Sequence, residues 1–487
     1  MTFTALTSSS VSTYKLYING KWEQSKSGQA IDIQSPYLYE AIGKVQAITK
    51  EEVDEAIHFA QKAQKEWADI SLQERAKYLY KWADELVNMQ DEIAEVIKKE
   101  VGKSYKDAKS EVVRTADFIR YTVEEALHIH GESMRGDSFP GGSQSKIAII
   151  QRVPLGVVLA IPPFNYPVNL AAAKLAPALM AGNAVIFKPA TQGAISGTKM
   201  IEALHKAEFP KGLVNLVTGR GSVIGDYLVE HKGINMISFT GGTNTGVNLA
   251  KKASMVPLVL ELGGKDPGIV REDADLQEAA KHIISGAFSY SGQRCTAIKR
   301  VLVHESVANE LIGILKEEIE KLSVGSPEDG SMVVPLIDDQ SANFVQGLID
   351  DAIKKGATLV TGNKRERNLV YPTLLDHVTE DMRVAWEEPF GPVLPVIRVS
   401  SDEEAINIAN ESEFGLQASV FTKDINKAFA IANKIETGSV QINGRTERGP
   451  DHFPFIGVKG SGMGAQGIRK SIESMTREKV TVLNLAE

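Results

Sequence analysis

A chain of 487 residues has room for two or three domains with substantial cores, and its 43% hydrophobic and 24% charged content is ordinary for a soluble globular protein. The balance of 54 basic and 62 acidic residues, a net charge of −8, argues against a nucleic-acid or general polyanion binder, though not against a local cationic pocket. One cysteine excludes an internal disulfide. With no basic-then-apolar start in residues 1–14 and no apolar run of membrane-spanning length, a reducing, cytoplasmic setting is expected, with no membrane partner.

Asn19–Gly20 predicts a two-residue hairpin. Residues 49–131 read as consecutive amphipathic helices, with capping-box starts at Thr49/Glu52 and Ser71/Glu74. In the last of these, Arg114, Asp117 and Tyr121 share one face, by itself a solvated stripe. Residues 131–142 are loop-like, and 145–153 alternate as a strand that needs a partner edge. From Pro154 the pattern becomes β–α units, with strands near 156–161, 184–187, 214–217, 234–239 and 258–260 and helices between them. That order implies a parallel sheet covered on both faces. Ligands bind such sheets beyond the carboxyl ends of the strands, where Asn165, Lys188 and Gly241 fall.

A second α/β unit follows, with strands near 268–270, 301–304, 396–399 and 439–442 and helices near 276–287, 307–322, 404–410 and 427–434. Pro389 and Pro392 make 387–392 an ordered loop. Residues 443–459 read as a long loop carrying Arg445, Arg448 and His452, and 479–485 as a last strand.

Cys295 lies in Ser291–Gly292–Gln293–Arg294–Cys295–Thr296. A lone cysteine is commonly a small buried apolar residue. Its polar or small neighbours do not suit a core strand, and Arg294 sets a permanent positive charge beside the sulfur, which favours thiolate. A thiolate nucleophile needs an oxyanion donor and a base. Glu261, between Leu260 and Leu262 at a strand end, reads as a buried carboxylate with a raised pKa, suited to a base. Asn165, alone, is a turn residue between prolines. Gly241, Gly242 and Gly246 lie between strand and helix, where phosphate binds, but without GxGxxG spacing.

PFNYPV (163–168), FKPATQ (187–192), SFTGG with Gly246, LELGGK (260–265), SGQRCT (291–296), EEPFGPV (387–393) and FPFIGVKGSGMG (453–464) resemble the aldehyde dehydrogenase superfamily in order and spacing. The resemblance implies an α/β fold with a Rossmann-like cofactor domain (1–134 and 154–261) and an α/β catalytic domain (262–442). It further implies a small β oligomerisation arm (135–153 and 465–487), a substrate-site loop (443–464) and a homotetramer. It makes Cys295 the nucleophile, Asn165 the oxyanion donor and Glu261 the base for water, with Lys174 structural and no metal. Cofactor contacts carried over are Pro162, Lys188, Thr191, Asp226, Gly241, Gly242, Gly246, Leu262, Glu388 and Phe390. Gly242 stands where the family commonly has serine. Thr191 stands where NAD-preferring members carry a glutamate that repels a 2′-phosphate, so NADP is expected, with NAD the weaker alternative.

Within the superfamily the chain is most similar to the subgroup that oxidises glyceraldehyde 3-phosphate with NADP, without inorganic phosphate, in glycolysis. Arg114 in EVVRTA, Tyr166, Arg294 and Arg448 carry that resemblance, and imply a phosphate clamp beside Asn165, Cys295 and Thr296. Arg445 is a rival to Arg448 in the clamp. Oxidation of a non-phosphorylated aldehyde, transfer to coenzyme A and a non-catalytic binding role remain alternatives, and Glu261 favours water over a thiol as acceptor.

Overall fold

The computed structural model describes residues 4–5 and 11–486. The remainder of the Ser/Thr-rich N-terminal tail lies outside the described residues. Among the described residues two large sheets, of eight and seven strands, organise the chain, with smaller sheets of four, three and two strands beside them. Four consecutive helices lead into the first large sheet: α1 (Lys50–Asp69), α2 (Leu72–Asn88), α3 (Gln90–Val101) and α4 (Tyr105–Ala126). α1 starts with a full capping box at Thr49 and Glu52, and Ser71 accepts from the Glu74 amide at the start of α2. The hairpin forms between Leu16–Ile18 and Lys21–Glu23, with Asn19 and Gly20 both at positive φ (50° and 76°), as a right-twisted two-residue turn requires.

The first sheet has eight strands. Val157–Ile161 lies at its middle, parallel to Ala184–Phe187 on one side and Met236–Thr240 on the other. The chain therefore reverses its winding at Val157–Ile161, and the crevice there opens beyond the carboxyl ends, above Pro162. Between these strands run α5 (Asn169–Met180), α6 (Ala194–Lys206), α7 (Gly221–Glu230) and α8 (Thr243–Lys252). α5 is buried on all sides, and only two of its residues, Asn169 and Lys174, carry polar side chains.

The second sheet has seven strands, with Pro267–Val270 between Arg300–His304 and Gln417–Phe421, all parallel. Apolar cores cover both of its faces. α9 (Leu276–Phe288) precedes the segment that carries Cys295. A helix at Asp339–Lys354 was not anticipated, although its buried Ala342, Val345, Leu348, Ile349 and Ala352 follow helical spacing.

The three-stranded sheet pairs Lys146–Pro154 with Glu132–Arg135 on one side and Thr476–Asn484 on the other. The alternating strand thus finds its partners in its own chain, and the free edges belong to its neighbours. Gly462–Met463, inside the stretch read as a loop, pairs antiparallel with Leu258–Glu261 and extends the first sheet. Ile468–Ser474, inside the segment read as arm, is a helix against α4 and α5. Among the described residues no helix is long and apolar enough to cross a membrane.

Candidate active site

The nucleophile segment is held by backbone that few residues adopt. After α9, Tyr290, Ser291 and Gly292 have φ of 52°, 56° and 70°, a left-handed run that costs energy at the two non-glycine positions. Specific bonds hold it. The Tyr290 hydroxyl donates to the Val101 carbonyl at 2.6 Å. Ser291 Oγ donates to the Val334 carbonyl and accepts from the Val334 amide, both at 2.7 Å. Thr446 Oγ1 donates to the Thr296 carbonyl at 2.7 Å, tying the 443–464 loop to the same segment.

Asn165 is brought to this segment by α5. Its Nδ2 donates to the Gln293 carbonyl at 2.9 Å, two residues from Cys295. The turn before α5 is fixed by Glu111, a charged residue on the apolar face of α4. Glu111 Oε1 accepts from the amides of Val168 (3.0 Å) and Asn169 (3.1 Å), and Oε2 from Lys103 Nζ at 2.5 Å. Both partners of this ion pair are buried, and Lys103 Nζ also lies 3.7 Å from the centre of the Tyr166 ring. Neither residue was singled out from the sequence. A glutamate at a core position beside Ala108, Val112 and Thr115 was the readable signal.

Two expectations about charge need correction. Arg294 interacts electrostatically with Cys295, but its Nη2 is committed to the carbonyls of Gly286 and Ser285, near the end of α9. Burial pushes the Cys295 thiol up to about 11, and the cation that opposes this is Lys299. Lys299 Nζ donates to the Cys295 carbonyl and pairs with Glu388 at 3.0 Å. Glu261 is buried as expected but has a counter-charge: Arg448 Nη1 lies 3.2 Å from each carboxylate oxygen. Its Oε2 also accepts from Thr240 Oγ1 at 3.0 Å, which in turn accepts from Lys174 Nζ at 2.7 Å. Burial lowers Lys174 to about 8.

A cavity of about 750 Å³ runs between α4, Tyr166 and Asn169, Tyr290, and the 327–332 loop. Arg114, Arg294 and Arg445 line it, whereas Arg448 does not and is engaged with Glu261. Arg445, the rival, therefore holds the third place in the wall. The three are not equal. Arg114 pairs with Asp451 at 2.7 Å and Arg445 with Glu447 at 2.7 Å. Arg294 bonds carbonyls, and its buried Nε has no hydrogen-bond partner among the described residues.

On the other side of Cys295, the features suit a dinucleotide. Lys188 is buried, its Nζ bonds only the Pro189 carbonyl, at 3.2 Å, among the described residues, and burial lowers it to about 8. Thr191 is partly buried three residues on, with no acid in its place. α8 starts directly at Thr243 with no side-chain cap, leaving its first amides for an anion. A Cβ at Gly246 would lie 2.3 Å from Leu262 Cδ2, and one at Gly263 would lie 2.2 Å from Glu388 Oε2. A side chain at either position would have to displace the Leu262 or Glu388 side chain. Glu388 Oε1 also accepts from the Gly264 amide at 3.1 Å. Phe390, at φ 45°, sets its ring edge-on to Phe164 at 6.0 Å. Asp226 is exposed on α7 and paired with Lys252.

A thiol with an amide donor beside it, a buried carboxylate and a phosphate-ready helix start across the same sheet crevice define an aldehyde-oxidising site. The chain belongs to the aldehyde dehydrogenase family, whose model matches residues 22–481, and it is an oxidoreductase.

It is 54% identical over 474 residues to the NADP-dependent glyceraldehyde-3-phosphate dehydrogenase of Pisum sativum, covering 97% of this chain and 95% of that one. It is 38% identical over 476 residues to the 3-sulfolactaldehyde dehydrogenase of Priestia aryabhattai, covering 98% and 99%. The crystal structure of NADP-dependent glyceraldehyde-3-phosphate dehydrogenase from Bacillus halodurans complexed with NADP matches with a TM-score of 0.96 at 60% identity, covering 97% of this chain and 99% of that one.

Proposed function

We propose that the protein oxidises glyceraldehyde 3-phosphate to 3-phosphoglycerate with NADP and water, without inorganic phosphate. The observation that carries this reading is the cavity wall. Arg294, with no carboxylate partner among the described residues, and Tyr166 line it. They are the chain neighbours of Cys295 and Asn165, and Arg294 interacts electrostatically with Cys295, which supports an anion held by Arg294 near the sulfur. Arg114 and Arg445 line the same wall, each already paired with a carboxylate, and so contribute less than Arg294. Arg448 acts on Glu261 instead, and Thr296 anchors the loop through its carbonyl.

The Cys295 sulfur attacks the aldehyde carbon, and the carbonyl electron pair moves to oxygen. Asn165 Nδ2 and the Cys295 backbone N–H donate to that oxyanion, each worth about 3–4 kcal/mol of barrier in a dry site. Because the thiol stands at about 11, its proton passes to solvent water as the bond forms, with Lys299 the stabilising cation. Bound NADP supplies the hydride acceptor that converts the thiohemiacetal to a thioester. Glu261 then takes a proton from water as it attacks the thioester, and the acid is released. Thr240 and Lys174 hold the carboxylate in place.

Lys188 and Thr191 receive the adenosine ribose and its 2′-phosphate. Pro162, Gly241, Gly242, Gly246 and Leu262 form the backbone cradle, and Glu388 and Phe390 hold the nicotinamide ribose. Asp226 is left out. The eight-stranded unit is the cofactor domain and the seven-stranded unit the catalytic domain. The three-stranded sheet joins subunits of a cytoplasmic homotetramer. The nine-residue strand Thr476–Asn484 supports this, with a free edge and with Val480 and Val482 more than half exposed.

The test is NADP reduction with glyceraldehyde 3-phosphate, without phosphate or coenzyme A, beside NAD, hexanal and 3-sulfolactaldehyde. Fast turnover with the phosphorylated aldehyde and NADP is expected. Equal or faster turnover of hexanal turns the arginines into bystanders. Preference for the sulfonate keeps the anion site and changes its ligand.

A further inference from the structure

A second unpartnered donor lies in the same cavity wall and has no part in the scheme above. Asn169 is the first residue of α5, four positions after Asn165, and is only 5% exposed. Its backbone amide is committed to Glu111 at 3.1 Å, which fixes the residue at the helix start. Its side-chain Nδ2 is buried and has no hydrogen-bond partner among the described residues, yet the residue lines the cavity together with Tyr166 and Arg294. A buried N–H without an acceptor is unfavourable, and stays so until an oxygen meets it. All the other ten residues of α5 besides Lys174 are apolar, so packing alone gives no reason for an amide there.

We infer that Asn169 is a specificity residue, whose side-chain N–H donates to an oxygen on the carbon chain between the aldehyde and the anionic group of the substrate. The favoured substrate class is then a 2-hydroxyaldehyde phosphate rather than any short aldehyde phosphate. This rests on the proposed phosphorylated-aldehyde reading. Arg294 anchors one end and Asn165 the other, which leaves the hydroxyl oxygen as the acceptor for a donor on the adjoining wall. A site built to hydrogen-bond a hydroxyl discriminates strongly against the analogue lacking it, because its own group is then left unpaired.

The experiment compares glyceraldehyde 3-phosphate with its 2-deoxy analogue, 3-oxopropyl phosphate, on the wild-type enzyme and on Asn169→Leu and Asn169→Ser. The wild type is expected to favour the hydroxyaldehyde in kcat/KM by about tenfold to a hundredfold. Asn169→Leu should lose that preference through the hydroxyaldehyde alone, with the deoxy substrate within about threefold of wild type. Asn169→Ser, which keeps a donor, should fall between. Equal loss on both substrates overturns the inference, since a merely structural role affects both alike. Wild-type indifference to the hydroxyl overturns it without any variant, should Asn169→Leu fail to fold. Failure of the wild type on both phosphates overturns the phosphorylated-aldehyde reading itself, a result distinguishable from the others.

Discussion

Cofactor choice should depend on pH, and the structure says where. Lys188 is buried with one carbonyl for company, and burial lowers it to about 8. A 2′-phosphate is doubly charged above pH of about 6, so above that its attraction to this site follows the charge on Lys188. At pH 7 about nine-tenths of Lys188 is protonated, and at pH 9 about one-tenth. NADP binding must then draw a proton onto the lysine, at a cost of about 1.4 kcal/mol for each pH unit above its pKa in the free protein. The sign is fixed: a lysine depressed in the free protein and restored by an anion weakens anion binding as pH rises. The ratio of the Kd for NAD to the Kd for NADP should fall about tenfold between pH 7 and pH 9.

Calorimetric titration of both nucleotides from pH 6.5 to 9.5 measures this. Lys174 also stands at about 8, but it faces Thr240, and any effect it has on binding cancels in the ratio of the two nucleotides. Lys188→Met should flatten the profile. A ratio at pH 9 within about threefold of that at pH 7 would refute the placement of Lys188 against the 2′-phosphate.

Arg294→Lys should raise KM for glyceraldehyde 3-phosphate at least about tenfold, because a point charge cannot reproduce the guanidinium geometry, while hexanal kinetics change little; parallel losses on both point to a structural role. Thr240→Val removes the hydroxyl between Lys174 and Glu261. Acid release should slow by about tenfold, and a burst of NADPH matching the number of sites should appear in stopped flow; a linear trace refutes the link. Lys103→Met strands Glu111, whose side chain is 1% exposed. Stability should drop by about 3–5 kcal/mol in urea unfolding, and a loss below about 1 kcal/mol would mean that Glu111 is satisfied by the Val168 and Asn169 amides alone.

Local chemistry made much of this protein readable in the sequence. Thr49 with Glu52 starts a helix because a hydroxyl and a carboxylate at that spacing satisfy each other's backbone amides. Asn19–Gly20 turns because those residues tolerate positive φ. The β–α order put Asn165, Lys188 and Gly241 at one sheet edge, since parallel strands present all their carboxyl ends together. Cys295 and Glu261 drew notice from their immediate neighbours, whereas Asn165 alone read as a turn residue and was named only through the motifs that carry the family resemblance.

Direction and partnership were settled only by the tertiary structure. Arg294 adjoins Cys295 in the chain, yet its Nη2 is spent on the Gly286 and Ser285 carbonyls near the end of α9, and Lys299 is the cation that most offsets the burial of the thiol. Arg445 and Arg448 are three residues apart, and only the path of the 443–464 loop sends one to the cavity and the other to Glu261. Glu111 and Lys103 matter because α4 packs on α5. A sequence specifies which groups exist and which local turns they prefer. Which charge meets which depends on how the helices and sheets pack, which brings Arg448 to Glu261 across 187 positions and, among several near cations, leaves Lys103 to Glu111 only 8 positions away.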